Sequence, residues 1–166
     1  MTVELRPDLS RTYLNLGVGE LVAALVFTVI AAAVVSPRLE HRSDAAALWS
    51  ALIPLLVILV QAGVYWLAAR GWVGRRPMPA GFAATYRWFR VVDVVLLLAG
   101  LVGLVMWWPS SVGAALGLSA VWLFGVLEYV NYFVVRLSYP IGRWFTTVGQ
   151  WRTPRLIQDL RSAARF

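Results

Sequence analysis

Cysteine is absent from this chain of 166 residues, and so is lysine. Without cysteine there can be no disulfide, no thiolate catalysis and no cysteine-ligated metal site. His41 is the only histidine, which argues against a histidine-ligated metal, because such sites combine several ligands. The sequence therefore predicts neither a metal site nor a cofactor.

Charge is also scarce, since only 14% of the residues are charged, 60% are hydrophobic and the mean hydropathy is +0.72. A soluble domain has about 25% charged and about 45–50% apolar residues. Too few polar side chains remain here to cover a surface that faces water, and a soluble fold is excluded. We expect one membrane domain, residues 1–136, followed by a basic tail, residues 137–166.

Four apolar stretches reach the ~20 residues that a helix needs to cross the hydrocarbon core. They lie near Leu14–Val35, Ala45–Ala69, Val91–Trp108 and Val112–Val135. Between the last two, Pro109 and the serines after it leave room only for a tight hairpin. The sequence predicts an all-α membrane protein, a four-helix bundle whose third and fourth spans are antiparallel neighbours.

The fifteen arginines are unevenly distributed over this topology. With four spans, the N-terminal segment, the middle loop and the tail share one side and hold thirteen of them, against Arg38 and Arg42 on the other. Because positively charged loops remain in the cytoplasm, both termini are predicted to be cytoplasmic, in the plasma (inner) membrane of a bacterium. A cleaved signal peptide at span one is the alternative, which Glu20 within its apolar core disfavours.

The tail combines apolar and basic residues at helical spacing. A first amphipathic piece follows residues 139–140, and Thr153-Pro154 is a suitable start for a second helix. The second helix is expected to place apolar Leu156, Ile157 and Leu160 opposite polar Arg155, Asp159 and Arg161. Such a segment is predicted to lie at the membrane interface. The alternative is packing beneath the bundle or against a partner protein.

The middle loop, residues 71–81, is rich in glycine and proline and most simply serves as a linker that sets the topology. Trp72 is expected at the inner interface, without a ligand role. Basic side chains beside the spans suit anionic headgroups or a protein partner, and they argue against nucleic acid. The candidates for these contacts are Arg75, Arg76, Arg152, Arg155 and Arg161.

Three acids, Glu20, Asp93 and Glu128, fall inside the predicted spans. An ionisable residue there needs a partner or a water-filled space. Glu128 is the deepest, whereas Asp93 is expected close to the start of span three. Asn131 and Tyr132 share the helical face of Glu128. On the same face, Gly117 and Gly125 are expected to permit close approach of another helix.

We hypothesise that these polar residues converge on a pocket open to the cytoplasm. Its members would be Glu20, Gln61, Asp93, Glu128, Asn131 and Tyr132. Arg90 and Arg136 are the candidate counter-charges. The alternative is a set of interhelical hydrogen bonds that serve assembly alone.

The stretch Glu128-Tyr129-Val130-Asn131-Tyr132-Phe133, followed by Arg136-Leu137-Ser138-Tyr139-Pro140 and the basic tail, resembles the C-terminal portion of a group of uncharacterised small bacterial four-span membrane proteins. The resemblance covers roughly the last 40 residues. It implies a four-helix architecture with a basic tail and carries no catalytic residue over.

Among function classes, an enzyme is the weakest, because the sequence has no HExxH run, phosphate loop or serine–histidine–acid arrangement. The preferred class is an accessory or scaffold protein that binds a membrane partner or anionic lipid. The other class is a small carrier or channel for protons, cations or a cationic solute, with Glu128 as the coordinating acid. A chain of this size would transport as a homo-oligomer.

Overall fold

The computed structural model describes residues 5–39, 41–73, 76–135 and 153–164, and all regular structure in these ranges is helical. The helices are α1 (Leu5–Val29), α2 (Arg42–Ala69), α3 (Ala80–Met106), α4 (Val112–Phe133) and α5 (Arg155–Ala163). A π-helical segment, Ile30–Val35, and a short 3-10 turn, Ser36–Arg38, continue α1 toward α2.

Four of the helical segments are long and apolar enough to cross a membrane: Leu9–Arg38, Arg42–Ala69, Ala80–Met106 and Val112–Phe133. The all-α class and the predicted number of helices that could span a membrane are thereby confirmed. The chain exposes many valines and leucines on α1, α3 and α4. Apolar surface of that extent is unusual in a soluble monomer but suits contact with lipid.

Span three is longer than predicted, because α3 begins at Ala80 rather than near Val91. Its first three turns are amphipathic: Ala83 and Tyr86 are buried, while Arg87 and Arg90 are exposed. By mean hydropathy those arginines fall in the loop before the span. In the structure they belong to α3, because this helix buries the face opposite to them. Asp93 consequently lies in the middle of α3, and the expectation that it sits close to the start of the helix was wrong.

Helix α2 occupies the centre of the bundle and contacts α1, α3 and α4. Of its apolar span 61% is buried, compared with 11% for α1 and for α4. Small side chains at Ala47, Ala51 and Ala62 are almost inaccessible, which lets the neighbouring helices approach from several sides. Helices α1, α3 and α4 therefore surround α2, and each keeps an exposed apolar face that suits contact with lipid.

The closest helix crossings involve glycine. A Cβ placed on Gly17 of α1 would lie 3.0 Å from the carbonyl oxygen of Gly63 in α2. On Gly100 of α3, a Cβ would lie 2.6 Å from the carbonyl oxygen of Ser50. The close approach expected at Gly117 was wrong, because no heavy atom lies within 4 Å of a Cβ built there. The close approach expected at Gly125 is confirmed, because a Cβ there would lie 3.5 Å from Leu55 Cβ of α2.

A tight hairpin joins α3 to α4, as the sequence predicts. Ser111 caps α4, since its hydroxyl oxygen accepts a hydrogen bond from Ala114 N at 3.2 Å. The carboxylate of Asp44, in the first turn of α2, accepts from Ser110 N at 3.3 Å and from Ser110 Oγ at 3.1 Å. Trp122 Nε1 of α4 donates to the Leu97 carbonyl oxygen of α3 at 2.9 Å. These bonds hold α4 beside α3 and tie the hairpin to α2.

Helix α5 packs against α3 and α4. The predicted apolar stripe of Leu156, Ile157 and Leu160 is buried. Asp159 is also buried, at 7% exposure, and its expected place on the opposite, polar face was wrong. The physical reason is that Asp159 has hydrogen-bond donors in the bundle, which are described below. The first amphipathic piece of the tail lies outside the described residues.

Candidate functional site

The six polar residues predicted to form one pocket divide into two groups. Glu20, Glu128, Asn131 and Tyr132 meet between α1 and α4, with Trp66 of α2 beside them. Gln61 and Asp93 meet elsewhere, between α2 and α3. Because α2 is central, its polar side chains point to different neighbours, and a single pocket does not form.

The first group surrounds a cavity of about 150 Å³, which we call the Glu20–Glu128 cavity. Tyr132 Oη donates to Glu20 Oε1 at 2.5 Å, and Trp66 Nε1 donates to Tyr132 Oη at 3.3 Å. Glu128 accepts a hydrogen bond from the Asn131 side chain and lines the same cavity as Glu20. The cavity thus brings two acids together with a phenol and an amide.

The cation at this cavity comes from the tail, because Arg155 of α5 lines its wall. Within the described ranges, the one ion pair closer than 4.0 Å joins Arg155 Nε to Asp159 Oδ1 at 3.3 Å. Arg90, a candidate counter-charge, makes no such pair, and its backbone carbonyl accepts from Tyr129 Oη at 3.2 Å. The other candidate, Arg136, lies outside the described residues.

The second group is buried more deeply. Gln61 Nε2 donates to Asp93 Oδ1 at 2.9 Å, and Tyr86 Oη donates to the Gln61 carbonyl oxygen at 2.6 Å. Asp93 has no measurable exposure and Gln61 is 8% exposed. These bonds join α2 to α3 in the interior of the bundle, where each buried polar group needs a partner.

A third polar arrangement, the Asp159 cluster, was not predicted. Asp159 Oδ2 accepts from Tyr65 Oη at 2.9 Å and from Trp72 Nε1 at 3.2 Å, while Oδ1 faces Arg155. Tyr65 lies near the end of α2, and Trp72 lies in the turn that follows this helix. Trp72 therefore has a specific partner, besides any preference for an interface. The cluster holds α5 against the bundle and so places Arg155 at the Glu20–Glu128 cavity.

A large open groove, the basic groove, runs along α3, α4 and α5 and has a volume of about 880 Å³. Its cationic side chains are Arg87, Arg90 and Arg161, and its apolar wall is formed by Val91, Val94, Val95, Ile157 and Leu160. Sequence reasoning found Arg161 but missed Arg87 and Arg90 as groove residues. Their spacing of three, continued by the valines one turn on, is the signal that could have found them.

The remaining arginines predicted to contact lipid or a partner are placed as follows. Arg155 faces the Glu20–Glu128 cavity instead of the groove. Arg76 is exposed in the loop between α2 and α3. Arg75 and Arg152 lie outside the described residues.

These arrangements hold carboxylates, phenols, amides and guanidinium groups, which bind ions and charged headgroups. In the part of the chain that the structure describes, no three histidine or acidic side chains gather into a metal site. The Glu20–Glu128 cavity, the Gln61–Asp93 pair and the basic groove include no serine, threonine or cysteine nucleophile beside a base. The chain matches no protein-family model, no curated protein and no solved structure.

Proposed function

We propose that this chain is a non-enzymatic accessory membrane protein that binds an anionic phospholipid in the basic groove. The observation that carries the proposal is the juxtaposition of three arginines with an apolar wall. A phospholipid presents the same juxtaposition, because its phosphate adjoins its acyl chains. Guanidinium groups bind phosphate through two parallel hydrogen bonds, so they suit this headgroup.

The distribution of arginine supports a place for the groove in the cytoplasmic leaflet. Arg87 and Arg90 belong to the start of α3, and Arg161 belongs to the tail, which are both segments of the arginine-rich side. With both termini in the cytoplasm, as the positive-inside rule favours, the groove meets the leaflet that carries anionic lipid. The plasma membrane of a bacterium is the proposed location.

Replacing Arg87, Arg90 and Arg161 together by glutamine is expected to lower the affinity for phosphatidylglycerol about 100-fold. Each arginine near an anionic surface is worth about 1 kcal/mol, and about 1.4 kcal/mol corresponds to a factor of ten. Native mass spectrometry of the purified protein, titrated with phosphatidylglycerol and with phosphatidylcholine, measures the change. The affinity for phosphatidylcholine, which carries no net charge, should hardly differ.

The matched control replaces Arg11, Arg42 and Arg76 by glutamine. These three arginines are exposed and outside the groove, and their loss changes the net charge equally. An equal loss of phosphatidylglycerol in both triple variants would show a general charge effect and contradict a built site. If the purified wild type instead retains a second protein, and only the groove variant loses that protein, the groove binds a membrane partner and not a lipid.

A second candidate function is favoured by the Glu20–Glu128 cavity. Two carboxylates around about 150 Å³ suit a proton or a small cation in a carrier or channel, because acids inside a membrane commonly mark such paths. At this size, a homo-oligomer would complete the path.

For this second function, Glu128→Gln is expected to reduce pH-driven or cation-driven flux in proteoliposomes by about tenfold or more, since it removes one of the two carboxylates of the cavity. Asp44→Asn is the matched control, because Asp44 lies at the other end of α2, away from the cavity. Wild-type flux no greater than that of empty liposomes would reject transport. Undiminished flux in Glu128→Gln would remove Glu128 from the path.

A further inference from the structure

Asp93 is a buried acid whose hydrogen bonds are incomplete. Its Oδ1 accepts from Gln61 Nε2 at 2.9 Å. Its Oδ2 and the side-chain oxygen of its partner, Gln61 Oε1, are both inaccessible to solvent and have no hydrogen-bond partner. Two acceptors on a bonded pair thus lack a donor. Buried polar atoms without partners are uncommon in proteins and call for an explanation.

No cation explains the arrangement. In the described part of the chain, the one ion pair joins Arg155 to Asp159, so Asp93 has no charged partner there. On its own helix, Arg87 and Arg90 are exposed and line the basic groove. A buried carboxylate without a counter-charge is strongly disfavoured inside a protein and inside a membrane.

The titratable groups of the surrounding helices are engaged elsewhere. Tyr86 Oη of α3 donates a hydrogen bond to the Gln61 carbonyl oxygen, and Tyr65 Oη of α2 donates a hydrogen bond to Asp159 of α5. From α4, Tyr129 donates to a backbone carbonyl of α3, and Glu128 lines the Glu20–Glu128 cavity. None of these groups supplies the donor that the Asp93–Gln61 pair lacks.

Water and metal ions also fit poorly. A cavity of about 10 Å³ adjoins Gln61, but Asp93 is not on its wall. That volume is at the lower limit for a single water. Hard divalent cations take six or more oxygen ligands, whereas only two unpartnered oxygens are present here.

We propose that Asp93 and Gln61 form a proton-binding site inside the membrane. The neutral carboxylic acid of Asp93 donates its Oδ2 proton to Gln61 Oε1, while Gln61 Nε2 donates to Asp93 Oδ1. On the edge that each presents to the other, a carboxylic acid and a primary amide offer one donor beside one acceptor, so this reciprocal pair gives each of the four atoms a hydrogen bond. The bound proton then joins α2 to α3, and its loss would leave a carboxylate against a carbonyl oxygen. The site is independent of the basic groove and of lipid binding.

The experiment is infrared spectroscopy of the purified protein at neutral pH, with its aspartates carrying ¹³C in the side-chain carboxyl group. The isotope shift separates aspartate from glutamate, and Asp93→Asn separates Asp93 from the other aspartates. We expect the wild type to show a C=O band of a protonated, hydrogen-bonded aspartic acid that is lost in Asp93→Asn. The band should be the same in sodium and in potassium buffers. Its absence from the wild type would overturn the proposal.

Thermal unfolding supplies the second readout. In Asp93→Asn the new amide can pair with Gln61 through the same two bonds, so the midpoint should stay within about 2 °C of the wild type. Asp93→Leu leaves the Gln61 amide without partners and should lower the midpoint by about 5 °C or more. The exchange variant, Gln61→Glu with Asp93→Asn, moves the acid to α2 and should keep both the stability and a protonated-acid band. A stabilisation of the wild type by sodium that Asp93→Asn abolishes would replace the proton by a bound cation.

Discussion

Gly63→Val is expected to disrupt the packing of α1 on α2 and to destabilise the bundle strongly. A Cβ at Gly63 would lie 2.7 Å from Leu21 Cγ and 3.1 Å from the Gly17 carbonyl oxygen. Leu21 could turn away, but the backbone oxygen cannot move unless the whole of α1 shifts. Overpacking costs about 1–3 kcal/mol when side chains can adjust, and the two valine methyls exceed what this crossing can accommodate.

Thermal unfolding followed by circular dichroism, with size-exclusion chromatography, measures the effect of Gly63→Val. We expect the unfolding midpoint to fall by about 10 °C or more, or the protein to elute as aggregate. Gly117→Val is the matched control on α4, because a Cβ there meets no heavy atom within 4 Å. Equal stability of the two variants would show that the Gly17–Gly63 crossing does not determine the packing of α1.

This crossing also shapes the Glu20–Glu128 cavity. Glu20 follows Gly17 by three residues, and Trp66 follows Gly63 by three residues, so each lies on the same helix face as its glycine. The close contact of the glycines brings both side chains within reach of Tyr132, which bonds to each of them. A variant that separates α1 from α2 should therefore lose the cavity together with its stability.

Hydropathy was sufficient to find the four spans, because length and apolar content are properties of each segment by itself. It failed at the start of α3, where exposed Arg87 and Arg90 lie on the same helix as buried Ala83 and Tyr86. A helix that is half buried in protein can carry charge on its other side, and an average over the segment hides this. The amphipathic pattern, rather than the mean, was the informative signal there.

The candidate site was predictable only within a helix. Asn131 and Tyr132 were placed correctly beside Glu128, because residues three and four apart share a face. Gln61 was assigned to the same pocket, although it faces Asp93 on α3. Which helices are neighbours depends on packing around the whole circumference of α2, and no local spacing in the sequence encodes that. The Asp159 cluster was missed for the same reason, since its partners on the α2 side lie 94 and 87 residues away along the chain.

Asp159→Ala is expected to release α5 from the bundle. The substitution leaves Tyr65 Oη and Trp72 Nε1 without their acceptor and Arg155 without its ion-pair partner. A buried donor left unsatisfied costs about 1–3 kcal/mol, and the lost ion pair adds about 1 kcal/mol or less, because the Arg155 side chain is 40% exposed. These penalties oppose the burial of the short apolar stripe that otherwise holds α5 against the bundle.

The absence of cysteine makes the release of α5 directly measurable. A single cysteine introduced in place of Leu160, which is 8% exposed, should react with a water-soluble maleimide about tenfold faster or more when Asp159→Ala is added. Gln158→Ala is the matched control, because Gln158 is exposed and its side-chain Nε2 donates to the Thr153 carbonyl oxygen of its own segment. Equal reaction rates in all three proteins would mean that the apolar stripe alone holds α5. A faster rate confined to Asp159→Ala would make Asp159 the residue that positions Arg155 at the Glu20–Glu128 cavity.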